Sequence, residues 1–189
     1  MSTLLPPHSN CYWVQPGRLL AGEYPGAFTT NAARHKVRLF LDAGVTFFLD
    51  LTHPADGLEP YVDLLMVEAK AYPRPVTYRR LAIRDRDVPS VAQMVQTLDL
   101  IDEVLARGQV VYVHCWGGIG RTGTVVGCYL ARHHDRDQSM ERGDAALAQL
   151  AALWQTVEKR DRHPQSPETP AQVAMVRNWQ EANRYSPIT

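Results

Sequence analysis

The sequence predicts a single α/β domain with a central, mainly parallel sheet flanked by helices. Short apolar runs rich in β-branched and aromatic residues alternate along the chain with longer segments of helical periodicity. One of these runs, Val110-Val111-Tyr112-Val113, passes directly into glycine-rich sequence and then a helix, the kind of connection that parallel sheets use. A length of 189 residues suits one domain with its own core. Residues 10–185 are expected to form it, with 1–9 a loose arm and 186–189 a tail.

Taken in order, Tyr12-Trp13-Val14 and Arg18-Leu19-Leu20-Ala21 read as two extended runs around a turn at Gln15-Pro16-Gly17. Residues 30–43 form a helix, with Thr30 as its cap, Ala33, Val37, Phe40 and Leu41 on one face, and Gly44 past its end. Residues 45–51 make a buried strand. Pro60 suits the first turn of a second helix running to residue 69, with Tyr61, Leu64, Leu65 and Glu68 distributed around it. Residues 76–83 alternate as a strand and 85–89 form a loop. Ser90 then caps a helix whose apolar residues are Val91, Met94, Val95, Leu98, Ile101 and Leu105, with Gly108 at its end. After the strand at 110–113 a helix runs to about residue 133. Helices at 143–157 and 170–184 follow, joined by a charged, proline-rich surface loop too short to divide the chain.

Lys plus Arg and Asp plus Glu both number 20, so the protein has no overall basic field for nucleic acid or an anionic membrane. Any recognition of anions is local. The longest apolar stretches fall far short of the roughly 18 residues of a membrane span. The first ten residues lack the basic start and apolar run of a secretory signal. Three cysteines at unpaired spacings imply no disulfide framework, and together these features lead to the expectation of a reduced, cytoplasmic protein. Cys128, beside Val125, Val126 and Leu130, reads as a packed core thiol, and Cys11 has no evident role. His133 and His134 suit the end of a helix dipole and have no third ligand spaced nearby, so no metal and no cofactor are expected.

The chemistry lies in His114-Cys115-Trp116-Gly117-Gly118-Ile119-Gly120-Arg121-Thr122. Gly117, Gly118 and Gly120 let the backbone curl until successive N–H groups point into one concavity, and the dipole of the following helix adds positive potential there. No Lys follows the last glycine, unlike an ATP-binding loop, and a cysteine opens the turn. Converging amides, a helix N-terminus and Arg121 all favour thiolate over thiol at such a position. The planar fork of Arg121 suits two oxygens of a tetrahedral or trigonal anion. A nucleophile with an oxyanion cradle fits phosphoryl transfer through a covalent intermediate.

His114-Cys115 through Arg121-Thr122 resembles the signature loop of the cysteine-based protein tyrosine phosphatases. Its filling, Trp116 to Gly120, is most similar to small dual-specificity-like members of the cyclin-dependent-kinase-associated phosphatase type. Ile83-Arg84-Asp85-Arg86-Asp87-Val88-Pro89 is similar to that family's general-acid loop, and Ser166-Pro167-Glu168-Thr169-Pro170-Ala171-Gln172 to a late loop. The resemblance covers the expected domain and implies a tyrosine-phosphatase-like fold. It implies that Cys115 attacks phosphorus, that Arg121 and the amides of residues 116–120 hold the phosphoryl oxygens, and that Asp85 is general acid and then base. It further implies that Thr122 bonds the thiolate and that His114 orders the loop. Asp87 is the rival acid, and Glu168 or Gln172 occupies the place of a water-positioning residue.

Arg79, Arg80, Arg84 and Arg86 read either as cleft residues or as solvated charge. Trp116 reads either as a substrate-stacking ring or as core, and Tyr24-Pro25 as cleft wall through the resemblance alone. The expected partner is a phosphorylated protein or a small phosphomonoester. Phosphoinositides are disfavoured because Trp116 and Ile119 stand where lysines suit a polyanion. A non-catalytic phosphate reader would have lost Cys115, Arg121 or the acid, and a rhodanese-like sulfur transferase does not explain the Asp85 loop.

Overall fold

The computed structural model describes residues 4–134 and 141–181. Five strands form one sheet in the order β1-β2-β5-β3-β4. β1 (Cys11–Gln15) and β2 (Leu19–Gly22) pair antiparallel across a tight turn. β3 (Phe47–Asp50), β4 (Thr77–Arg80) and β5 (Val111–His114) join in parallel, with β5 between β2 and β3. The mainly parallel sheet expected from the sequence is therefore present.

Among the described residues the helices are α1 (Thr30–Asp42), α2 (Val62–Glu68), α3 (Val91–Ala106), α4 (Gly120–Arg132), α5 (Arg142–Trp154) and α6 (Pro170–Arg177). Side chains alternate across a strand, and this period divides the core into two layers. Leu19, Leu49, Val111 and Val113 pack with residues of α3, α4, α5 and α6. Leu20, Phe48 and Tyr112 face the other way, toward Val37, Phe40 and Leu41 of α1 and Leu65 of α2. A sheet covered on both faces explains why its strands read as continuous apolar runs. It also carries the end of β5, with Cys115 next in sequence, into the middle of the domain.

Several expectations shift by a residue or more. Thr29, not Thr30, caps α1: its extended backbone lets Oγ1 accept from the Ala32 amide at 3.3 Å, whereas Thr30 is already helical. Pro60 precedes α2, which starts at Val62, and a 3-10 turn at Ala69–Ala71 continues it. Ser90 caps α3 in a reciprocal pair with Gln93, but Val91 in the first turn is exposed. The segment between α5 and α6 is not wholly surface, since Ser166 and Pro167 are buried. α6 stops at Arg177 because Asn178 caps it and the Trp179 amide turns back to the Val176 carbonyl, which brings Trp179 into the core. Residues 182–184 of the expected helix, the tail at 186–189 and residues 1–3 of the arm lie outside the described residues. The remainder of the arm is hydrogen-bonded to the domain, with Trp13 Nε1 donating to the Leu5 carbonyl at 3.3 Å and Ser9 Oγ to Glu158 at 2.6 Å.

Cys128 is wholly buried in the α4 side of the core, where burial pushes its thiol well up, and burial raises Cys11 to about 12. Both are poor nucleophiles in this state. Leu98 of α3 is fully enclosed in the same core. Leu98→Ala is expected to lower unfolding free energy by about 2–5 kcal/mol in urea titration, and an unchanged midpoint would contradict this account of the core.

Candidate active site

β5 ends at His114 and α4 begins at Gly120, leaving residues 115–119 to turn between strand and helix. The carbonyls of this turn are held from outside. Trp116 O accepts from the Tyr24 amide at 2.9 Å, Gly117 O from Lys159 Nζ at 3.1 Å, and Ile119 O from Ser166 Oγ at 2.8 Å. The amides of residues 116–119 donate no hydrogen bond among the described residues. Four unpaired donors beside Cys115 and the N-terminus of a 13-residue helix make an anion cradle. Gly118 is required twice over. Its φ is +74°, and a Cβ there would meet the carbonyl carbon of Gly22 at 2.5 Å. Cys115 opens the turn and is 2% exposed.

Arg121 lies in the first turn of α4 with its side chain buried. Nη1 is taken up by Asp56 Oδ2 at 2.6 Å and the Ile83 carbonyl at 3.0 Å. Nε and Nη2, the lateral edge of the guanidinium, have no hydrogen-bond partner among the described residues. Asp85 Oδ1 approaches Nη2 at 2.9 Å, close enough for an ion pair but without hydrogen-bond geometry. Burial acts to lower the Arg121 pKa, and Cys115, Asp56 and Asp85 outweigh it, so the net shift is upward and the side chain stays cationic. One edge of the fork is thus fixed by hydrogen bonds, and the other is met only by the Asp85 carboxylate, in whose place two oxygens of an anion can sit.

Asp85 stands on the loop after β4, is 52% exposed on its side chain and borders the cleft. Asp87 does not border it: Oδ1 accepts from the Val88 amide at 2.8 Å, and its carbonyl accepts from Gln172 Nε2 at 3.1 Å. Gln172 is wholly buried against Gly120, and its Oε1 accepts from the Thr169 amide. Both ends of that side chain are bound to backbone, which ties α6 to the loop that carries Asp85. Glu168 borders the cleft. Thr122 Oγ1 is buried without a hydrogen-bond partner among the described residues, so the bond to the cysteine thiolate implied by the resemblance is not formed here.

Behind the turn, His114 is completely buried among the rings of Tyr24, Tyr61 and Tyr112. Nδ1 lies 3.3 Å from the Cys115 carbonyl and Nε2 lies 2.6 Å from Tyr61 Oη. A carbonyl only accepts, so this pairing assigns the proton to Nδ1 and makes Nε2 the acceptor from the tyrosine. Burial pushes the imidazole down to about 4, against the opposing pull of Asp50. Asp50, at the end of β3, accepts from the Thr52 amide and hydroxyl at 2.7 and 2.6 Å, from Tyr78 at 2.6 Å and from Arg80 Nη2 at 2.9 Å. Burial alone would raise the Asp50 carboxyl, and His114 with the Thr52 and Tyr78 hydroxyls holds it below its ordinary value.

The cleft beside the turn has a volume of about 620 Å³. Trp116 is 53% exposed on its wall, which Phe28 also lines, so the tryptophan points outward and not into the core. Tyr24 also borders it. Arg80 is held by Asp50, and Arg79, Arg84 and Arg86 are exposed away from the cleft. Sequence reasoning missed Asp50, Asp56, Tyr61 and Lys159. Asp56 alone carried a readable signal, because it follows the carboxyl end of a strand adjacent to β5, where α/β sheets gather ligand-binding groups.

The sequence profile described as "Swiss Army Knife protein, DSP-PTPase phosphatase domain" (PTP-SAK) matches residues 8–176. The dual specificity protein phosphatase CDC14B of Mus musculus is 40% identical over 50 residues, 26% of this chain and 10% of that protein. The phosphatidylglycerophosphate phosphatase PTPMT1 of Arabidopsis thaliana is 36% identical over 78 residues, 40% of this chain and 22% of that protein. The chain therefore spans only about a tenth to a fifth of these two relatives. Among solved structures, kinase associated phosphatase (KAP) with its catalytic-site cysteine replaced by serine superposes with a TM-score of 0.67 at 15% identity, covering 88% of this chain and 90% of that one. That likeness shows the fold.

The buried imidazole has a stability consequence. An unfolded histidine binds a proton near its ordinary value of 6.5, while folded His114 stays neutral down to about 4. The unfolded state therefore holds the extra proton between these values, and stability falls as pH is lowered through that window. Urea titrations from pH 7 to 4 are expected to show about 3 kcal/mol more loss in wild type than in His114→Gln. Parallel pH profiles would contradict the neutral, buried assignment.

Proposed function

Because the chain belongs to the DSP-PTPase (PTP-SAK) family of cysteine-based phosphatases, we propose that it hydrolyses phosphomonoesters through a phosphocysteine intermediate on Cys115. The observation that carries this reading is the lateral edge of Arg121, without hydrogen bonds and met only by the Asp85 carboxylate, beside a turn whose four amides are unpaired and whose first residue is a cysteine. In the first step Cys115 Sγ forms a bond to phosphorus as the ester P–O bond breaks, and Asp85 gives its proton to the departing oxygen. The amides of residues 116–119 and Arg121 Nε and Nη2 hold the three remaining oxygens, where charge is spread in the transition state. In the second step Asp85 takes a proton from water, the water oxygen bonds to phosphorus, and the S–P bond breaks to restore the thiolate. Asp56 and the Ile83 carbonyl keep the arginine turned toward the turn throughout. The nucleophile, acid and oxyanion donors are all protein groups, so turnover is expected in the presence of EDTA.

The substrates best suited to the cleft are phosphotyrosine proteins, with phosphoserine and phosphothreonine proteins also accommodated. Exposed Phe28 and Trp116 offer flat apolar walls to an aromatic leaving group. A second reading, a lipid or inositol phosphate as substrate, is supported by the similarity to a phosphatidylglycerophosphate phosphatase. Against it, the two lysines that border the cleft, Lys36 and Lys159, are both paired with Glu23 and do not present a free polybasic wall.

With an aryl phosphate and EDTA, Cys115→Ser is expected to lower turnover by at least about a thousandfold while still binding orthovanadate. Retained turnover would remove the covalent mechanism, and vanadate binding by an inactive wild type would make the protein a phosphate reader. Asp85→Asn is expected to slow alkyl phosphates by about a hundredfold and to spare esters with good leaving groups, which need no acid. If Asp87→Asn gives that pattern instead, the acid is Asp87.

A further inference from the structure

The phosphate-binding turn is gripped by a charge cluster drawn from distant parts of the chain. Lys159, on the 3-10 turn at Glu158–Asp161, donates to the Gly117 carbonyl at 3.1 Å and forms an ion pair with Glu23. Glu23 also binds Lys36 Nζ at 2.5 Å, and Lys36 donates to the Tyr24 carbonyl at 2.8 Å. The Tyr24 amide completes the grip by donating to the Trp116 carbonyl at 2.9 Å. One carboxylate thus gathers two ammonium groups, and the assembly holds two successive carbonyls of the turn. Glu23, Lys36 and Lys159 are only 12%, 15% and 20% exposed on their side chains. Burial acts to raise Glu23, but Lys159 and Lys36 keep it below the ordinary carboxylate value.

We propose that Lys159 is a positioning residue for phosphoryl transfer, fixing the Gly117–Gly118 peptide through the Gly117 carbonyl so that the Gly118 amide faces the bound anion. The inference rests on the reading of this turn as a phosphate cradle. In a trans peptide the C=O and the next N–H point to opposite sides of the plane, so a carbonyl held outward turns the following amide inward. Two consecutive glycines give that plane unusual freedom, and Gly118 has a positive φ that other residues resist. An unanchored peptide here rotates at small cost, and an amide that must be reoriented at each turnover contributes less than one already aimed. An ammonium group makes a stronger anchor than a neutral donor would. Glu23 in turn holds the lysine in place beside the turn.

The test uses Lys159→Met, which keeps the length of the stem and removes the charge, and Lys159→Arg, which restores it. Orthovanadate affinity is measured by titration calorimetry, with kcat and KM on an aryl phosphate and a urea midpoint measured beside it. The expected result is vanadate binding about tenfold weaker in Lys159→Met, a fall in kcat larger than the rise in KM, and recovery of most of the loss by Lys159→Arg at an unchanged urea midpoint. Unchanged vanadate affinity in Lys159→Met overturns the proposal, as does a loss that the arginine fails to restore. If Lys159→Met does not fold, Glu23→Gln serves in its place, with weakened vanadate binding expected and unchanged binding overturning the inference. Anion binding also separates the two readings. A wild type that binds vanadate but hydrolyses nothing removes the catalytic function and leaves the positioning role, whereas a wild type that binds no vanadate removes both.

Discussion

Between β5 and α4 the site depends on one arrangement, in which the carbonyls of Cys115, Trp116, Gly117 and Ile119 are held by the surrounding fold and the amides of residues 116–119 are left without protein partners. A short turn with free amides is costly in a buried setting unless an anion or water meets them, so it persists only where the surroundings fix it. Here the surroundings are the Tyr24 amide, Lys159 and Ser166, one contact each from the segment after β2, the turn after α5 and the approach to α6. His114 adds a fourth from within, through the Cys115 carbonyl. Gly118 permits both the turn and its close seat on Gly22, so the end of β2 forms the floor of the site.

The same economy of contacts fixes the arginine. Asp56 and the Ile83 carbonyl hold Nη1, and Ile83 lies just before the loop that carries Asp85. Arg121 is therefore joined to the acid loop through backbone as well as through the Asp85 carboxylate. Gln172 supplies a further tie by donating to the Asp87 carbonyl from the first turn of α6. The acid loop, the arginine and the late helix thus form one connected unit around the cysteine turn.

The residues that were legible in the sequence are those whose role is written in local pattern. A continuous apolar run marked Val111 and Val113, helical spacing marked Phe40 and Leu98, and the glycine-rich turn after a strand marked Cys115 through Arg121. Tyr61 and Lys159 act on that turn or its neighbours from positions 53 and 42 residues away, and no local spacing announces such partners, whereas Asp56, 65 residues from Arg121, is signalled only by its place after the end of a strand. Gln172 illustrates the converse. Its place in a recognisable late loop suggested a role with water, and that pattern did not announce the work its amide does here as cap and tether. Arg80 likewise reads in sequence as either a cleft residue or solvated charge and becomes the counter-ion of buried Asp50 once β3 and β4 pair. Thr30 reads as the cap of α1 in sequence, and the extended backbone of the preceding Thr29 moves that role one residue earlier.

The central claim is that Cys115 becomes covalently phosphorylated during turnover. Rapid acid quenching of wild type during hydrolysis of an aryl phosphate, followed by mass analysis of its peptides, tests this directly. The account predicts one phosphoryl group on the peptide that contains Cys115, appearing within the first turnover and lost as substrate is exhausted. Steady hydrolysis with no phosphoryl group on that peptide at any time would contradict it.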